Sequence, residues 1–138
     1  MSVKMITREK RGVAIIDISG RLTLGEGCSA LRTKMVGLAE GGSKKILLNM
    51  ADVKYIDTSG LGELVAAHTT VTAAGGQIRL LNLAKRAHDL LEITKLYTIF
   101  ETFEDETSAL ASFPAPFPSE LQVRYVTFFG RIGSSGRR

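Results

Sequence analysis

The sequence predicts one α/β domain: a mixed, mostly parallel sheet of four to five strands packed with about four helices. Three observations predict it. The chain has 138 residues, enough for one domain and little more. Short β-branched apolar runs alternate with longer segments of helical periodicity, and strands that alternate with helices favour parallel neighbours joined by crossovers. Glycines and turn residues fall between these segments, where chain reversals are needed.

Taken in order, residues 3–7 and 13–18 are β-rich and divided by Lys10-Arg11-Gly12, which predicts a hairpin or two adjacent strands. Val13, Ala14, Ile15 and Ile16 are consecutive and apolar, as in a strand buried on both faces. Residues 20–27 contain three glycines and read as a loop. Ala30, Leu31, Met35, Leu38 and Ala39 recur at helical spacing, and Gly41-Gly42 ends that helix. Residues 45–50 form a second buried strand, and 52–57 a connection. Leu61, Leu64, Val65, His68 and Val71 lie on one face of a helix that stops at Gly75-Gly76. Residues 77–83 give a further strand. Ala87, Leu90, Leu91 and Ile93 give a third helix face, 97–103 a last short strand and 105–112 a last helix. The order is β-β-α-β-α-β-α-β-α.

Composition narrows the function classes. Residues 1–112 carry 14 Lys/Arg against 13 Asp/Glu, so the domain is nearly neutral and has no basic stripe for nucleic acid. The basic excess sits in 113–138, with four Arg and only Glu120. There Pro114, Pro116 and Pro118 interrupt regular structure, and Leu121, Val123 and Tyr125 then alternate with Gln122 and Arg124. This gives a domain at 1–112 and a Pro-interrupted basic tail at 113–138, partly disordered or an added strand. A docking segment for a partner or an anionic membrane is its functional alternative. Cys28 is the single cysteine, so no internal disulfide forms, and with two His it makes no zinc cluster. No apolar run reaches the ~18 residues of a membrane span. The start MSVKMITREKRG lacks the apolar core of a signal peptide. A cytoplasmic location is expected, with no metal and no cofactor.

The chemistry is concentrated in Asp57-Thr58-Ser59-Gly60-Leu61-Gly62, between an apolar strand and an amphipathic helix. Small polar side chains here meet the N–H groups that lack partners at a helix start. Asp57 or Thr58 as a simple N-cap is the plain reading. The two glycines argue for more, because each costs roughly 1 kcal/mol against Ala inside a helix. They are expected to bare the Ser59 hydroxyl to a large partner. A phosphate on Ser59 would sit at the positive helix end, meet backbone donors and add about −1.5 to −2 charge.

The run KKILLNMADVKYIDTSGLGEL resembles the signature of STAS domains, in particular bacterial anti-sigma factor antagonists. VAIIDISGRL and AGGQIRLLNLAKRAHDLLEITKLYTIFETFEDETSAL resemble other parts of that family in order and spacing, so the likeness covers residues 3–112. The resemblance implies a STAS-type fold with Ser59 as phosphoacceptor. It implies an unphosphorylated state that sequesters an anti-sigma factor, freeing its sigma factor. The anti-sigma factor would be a serine kinase of the histidine-kinase-like ATPase fold that phosphorylates Ser59 and so releases itself, with a PP2C-type phosphatase resetting the switch. Partner contacts fall on Thr23, Glu26, Asp57, Thr58, Ser59, Gly60, Leu61 and Gly62, and the chain would be a monomer or weak homodimer. One departure stands out. Where the family often has Asp after Gly-x-Leu, this chain has Thr23, which removes a charge-assisted contact to a partner Arg; Glu26 is the nearby substitute acid.

Catalysis is disfavoured. Ser59 is no nucleophile-elbow serine, since Asp57 and Leu61 hold the places of its glycines. His68 falls on an apolar helix face, as a packing residue does, and His88 reads as a surface or helix residue. Gly25-Glu26-Gly27-Cys28 lacks the third glycine of a dinucleotide loop. The alternative use of the same domain is a non-switching STAS scaffold or interaction subunit, of the stressosome type or attached to membrane transport.

Overall fold

The sheet grows outward from its buried strand. In the computed structural model, which describes residues 3–114, β1 (Val3–Lys10) and β2 (Val13–Leu22) form an antiparallel hairpin. Helix α1 (Glu26–Glu40) leads to β3 (Lys45–Ile56), α2 (Thr58–Ala73) to β4 (Gln77–Leu81), and α3 (Lys85–Thr94) with a 3-10 turn (Leu96–Thr98) to β5 (Thr102–Phe103). Helix α4 (Glu106–Ala111) follows. The five strands lie in the order β1-β2-β3-β4-β5, and all pairs after the hairpin are parallel. This is the mixed, mostly parallel α/β architecture the sequence predicts.

Strand alternation sorts the core into two layers. On one face Ile16, Ile18 and Leu22 of β2, with Ile46, Leu48 and Met50 of β3, pack under Leu31 and Met35 of α1 and Leu61, Leu64, Ala67 and Val71 of α2. On the other face Val13, Ile15, Leu47 and Leu81 pack under Ala109, Leu110 and Phe113. The continuous apolar run at 13–16 therefore feeds both layers. A polar chain borders the smaller one. Arg8 Nε donates to Asp17 at 2.7 Å and its Nη2 to Glu106 at 2.7 Å, tying α4 to the hairpin. Asn49 Nδ2 donates to Asp17 at 2.8 Å.

Several boundaries move from their predicted places. Residues 52–57, expected as a connection, continue β3 to Ile56, and residues 20–22, expected as loop, continue β2. Each supplies the other's partner: Gly20 pairs with Val53, Arg21 with Tyr55 and Leu22 with Ile56. Tertiary pairing thus overrides the glycine and the broken apolar pattern. Beyond Asn49 β3 has no partner on β4, and beyond Gly20 β2 has none on β1, so Arg21–Leu22 and Tyr55–Ile56 end the sheet as a short two-stranded ribbon. Strand β4 stops at Leu81 because Asn82 turns left-handed (φ 62°). The strand expected at 97–103 shrinks to Thr102–Phe103 behind a 3-10 turn. Ile93, assigned to an apolar helix face, is exposed. His68 packs edge-to-face on Phe100 with ring centroids 5.5 Å apart, as a packing residue should. The tail beyond Pro114 lies outside the described residues, and with it the added-strand expectation.

Candidate functional site

The β2–β3 ribbon ends where two helices begin, and this meeting builds the site. Asp57 leaves β3 in extended conformation and caps α2: its Oδ1 accepts from the Gly60 N–H at 2.8 Å. Its Oδ2 accepts from the Leu24 N–H at 3.2 Å. One carboxylate thus fixes both the first turn of α2 and the loop between β2 and α1. These donors, Gly60 first, hold the Asp57 carboxyl below the usual carboxylate range, against the opposing effect of burial.

Behind this clamp, glycine permits contact of backbone on backbone. A Cβ on Gly60 would lie 2.0 Å from the Leu22 carbonyl oxygen, and one on Gly27, in the first turn of α1, 2.3 Å from that of Arg21. Both helix starts are therefore seated against successive carbonyls of β2. Gly60 is buried and serves this packing; it does not bare Ser59, as its sequence position suggested. Gly62 does lie in the open, with nothing within 4 Å of a Cβ there. Thr58 is exposed and Ser59 half-buried. Leu61 belongs to the core.

The other predicted contacts divide. Thr23 is half-buried, and its carbonyl accepts from the Cys28 N–H at 3.2 Å. Glu26 is exposed and lines a groove with Val3 and Met5 between α1 and β1. Two residues escaped sequence reasoning. Leu24, beside Asp57, is 78% exposed. Glu63 is buried on α2 and accepts from Arg32 of α1 at 2.8 and 3.1 Å, a two-pronged pair between the helices. Apolar periodicity could flag neither. The clue for Glu63 was only an acid next to the helix's apolar face. Burial pushes the Cys28 thiol up, away from the reactive thiolate.

The Asp57 clamp has a testable acid dependence. Its pKa is depressed in the folded state, so its stabilisation is present above the unfolded value and lost as pH falls through the folded one. Asp17 and Glu106, held down chiefly by Arg8, act in the same direction. The wild type is expected to lose thermal stability below about pH 4. Asp57→Ala is expected to cost about 1 kcal/mol at neutral pH, typical of a lost cap, and to flatten part of that acid slope. Thermal midpoints from pH 7 to 3 check both.

Fold and site together define a small α/β domain that displays a serine at the head of a helix. The family model for the STAS domain matches residues 4–109. The anti-sigma-B factor antagonist of Bacillus subtilis is 31% identical over 101 residues, which are 73% of this chain and 91% of that protein. The structure of protein TM1081 of Thermotoga maritima superposes with a TM-score of 0.72 at 21% identity, covering 78% of this chain and 92% of that one. Bacillus SpoIIAA in its phosphorylated form gives a TM-score of 0.62 at 19% identity, over 78% and 97% of the two chains; at such identities the likeness is one of fold. The chain belongs to the STAS domain family. Among the described residues, no helix is long and apolar enough to cross a membrane.

Proposed function

We propose that this chain is an anti-sigma factor antagonist, a binding protein and not an enzyme, switched by phosphorylation of Ser59. Residues 1–112, together with the core residue Phe113, carry the function, and the tail that follows is an appendage. Unphosphorylated, the surface around Thr58, Ser59, Gly62 and the Leu24 loop holds an anti-sigma factor, which leaves its sigma factor free. The anti-sigma factor is itself the serine kinase of histidine-kinase-like ATPase fold, and a PP2C-type phosphatase reverses the step. The setting is the cytoplasm.

One observation carries this reading: a half-buried serine in the first turn of α2, beside the open surface at Gly62 and over a scaffold fixed independently by Asp57 and Gly60. Phosphate added there lies at the positive end of α2, over a first turn that Asp57 already fixes through the Gly60 N–H, so the domain tolerates it. A partner seated on the same surface meets about −1.5 to −2 of new charge and must leave. The names of the relatives support the role, since those proteins antagonise anti-sigma factors. Incubation with the cognate anti-sigma kinase and ATP, followed by mass-spectrometric mapping, is expected to place one phosphate on Ser59. Phosphate on Thr58 or Thr23 alone would overturn the assignment.

A further inference from the structure

Among the described residues, Leu24 is the most exposed of the large apolar side chains, at 78%. A leucine on a loose loop could fold back onto the protein. This loop is fixed. The Leu24 N–H donates to Asp57 Oδ2 at 3.2 Å. On either side, the Thr23 carbonyl accepts from Cys28 at 3.2 Å and the Gly25 carbonyl from Ser29 at 3.0 Å. Gly25 itself stands at φ 106°, a conformation that side-chain-bearing residues rarely adopt. The leucine is thus held out in water, its backbone ordered before anything touches it. Binding through such a group loses little further conformational freedom.

The carboxylate that holds Leu24 also caps the helix that carries Ser59 in its first turn. Leu24 and the proposed phosphoacceptor therefore belong to one rigid unit. Thr23 is half-buried with its carbonyl engaged inside the loop, and Glu26 lines the groove toward β1. Leu24 is the side chain this loop presents.

We propose that Leu24 is the apolar anchor with which the chain grips its anti-sigma factor, so the partner offers an apolar pocket at this loop. Asp57 is the positioning residue for that anchor. The inference rests on the function proposed above and adds the chemistry of the contact. It makes specificity depend on a pocket that accepts a branched aliphatic group.

Calorimetric titration of the full, unphosphorylated chain with its cognate anti-sigma factor tests this, using wild type, Leu24→Ser, Leu24→Met and Ser59→Asp. Leu24→Ser is expected to weaken binding about 10- to 100-fold, the effect of losing one buried leucine. Leu24→Met restores affinity to within about threefold, since an aliphatic swap of similar volume is well tolerated. Thermal midpoints stay at the wild-type value for both. In the kinase assay Leu24→Ser raises KM and leaves kcat unchanged. Wild-type affinity for Leu24→Ser alongside weak binding by Ser59→Asp overturns the anchor and keeps the switch. Wild-type affinity for both variants overturns the switch and the anchor together.

Discussion

Ser59→Asp or Ser59→Glu is expected to weaken binding of the anti-sigma factor by at least about 30-fold, while Ser59→Ala binds like wild type and can no longer be released by ATP. The size follows from burying an unpaired charge in an interface, which costs about 2–5 kcal/mol. A carboxylate carries less charge than a phosphate, so these variants set a lower bound for the natural modification. The fold should stay intact, because an acidic group in the first turn of a helix is mildly stabilising. Calorimetry on the three variants, with thermal unfolding as control, reads the result. Equal affinity across all three would assign the chain to the non-switching scaffold class instead.

Gly60→Ala is expected to cost about 3 kcal/mol, at the upper end of overpacking effects. The added methyl would stand 2.0 Å from the Leu22 carbonyl oxygen and 3.1 Å from Ile56 Cγ1. Leu22 and Ile56 are ladder partners, so the carbonyl cannot swing aside without loosening the end of the β2–β3 pair. Gly62→Ala should move the other way and stabilise by roughly 0.5–1 kcal/mol, because it adds helix propensity at an open position. Gly62→Leu should fold normally and fail to hold the partner, since its side chain occupies the surface beside Ser59. Urea unfolding of the three variants separates these outcomes. A Gly60→Ala protein with an unchanged midpoint would remove the claim that this glycine seats α2 on β2.

Long elements with strong periodicity were legible in the sequence, and contacts between distant residues were not. The consecutive apolar residues 13–16 and the spacing of Leu61, Leu64 and Val71 identified a doubly buried strand and a core helix, and both are found. The ends of β2 and β3 were hidden, because each is held by the other and neither has its own apolar alternation. Asp57 was recognisable as a cap from its type and position. Its second bond, to Leu24, joins residues 33 apart in sequence and has no local signal. The two glycines of the motif look alike in sequence. Only the approach of the Leu22 carbonyl separates Gly60, which is packed, from Gly62, which is open. Glu63 was invisible for a similar reason: its partner Arg32 lies on another helix.

The outer margin of the sheet has its own consequence. β1 is an edge strand, and Lys4, Ile6, Arg8 and Lys10 share one of its sides. Two copies meeting antiparallel along this margin must keep like sides together, because rotation cannot exchange them. Two alignments are equally full: one sets Lys4 opposite Lys10, the other Lys4 opposite Arg8. Arg8 already holds Asp17 and Glu106, and Lys10 holds Glu106, so the repulsion between copies is partly neutralised and opposes a closed edge-to-edge pair only weakly.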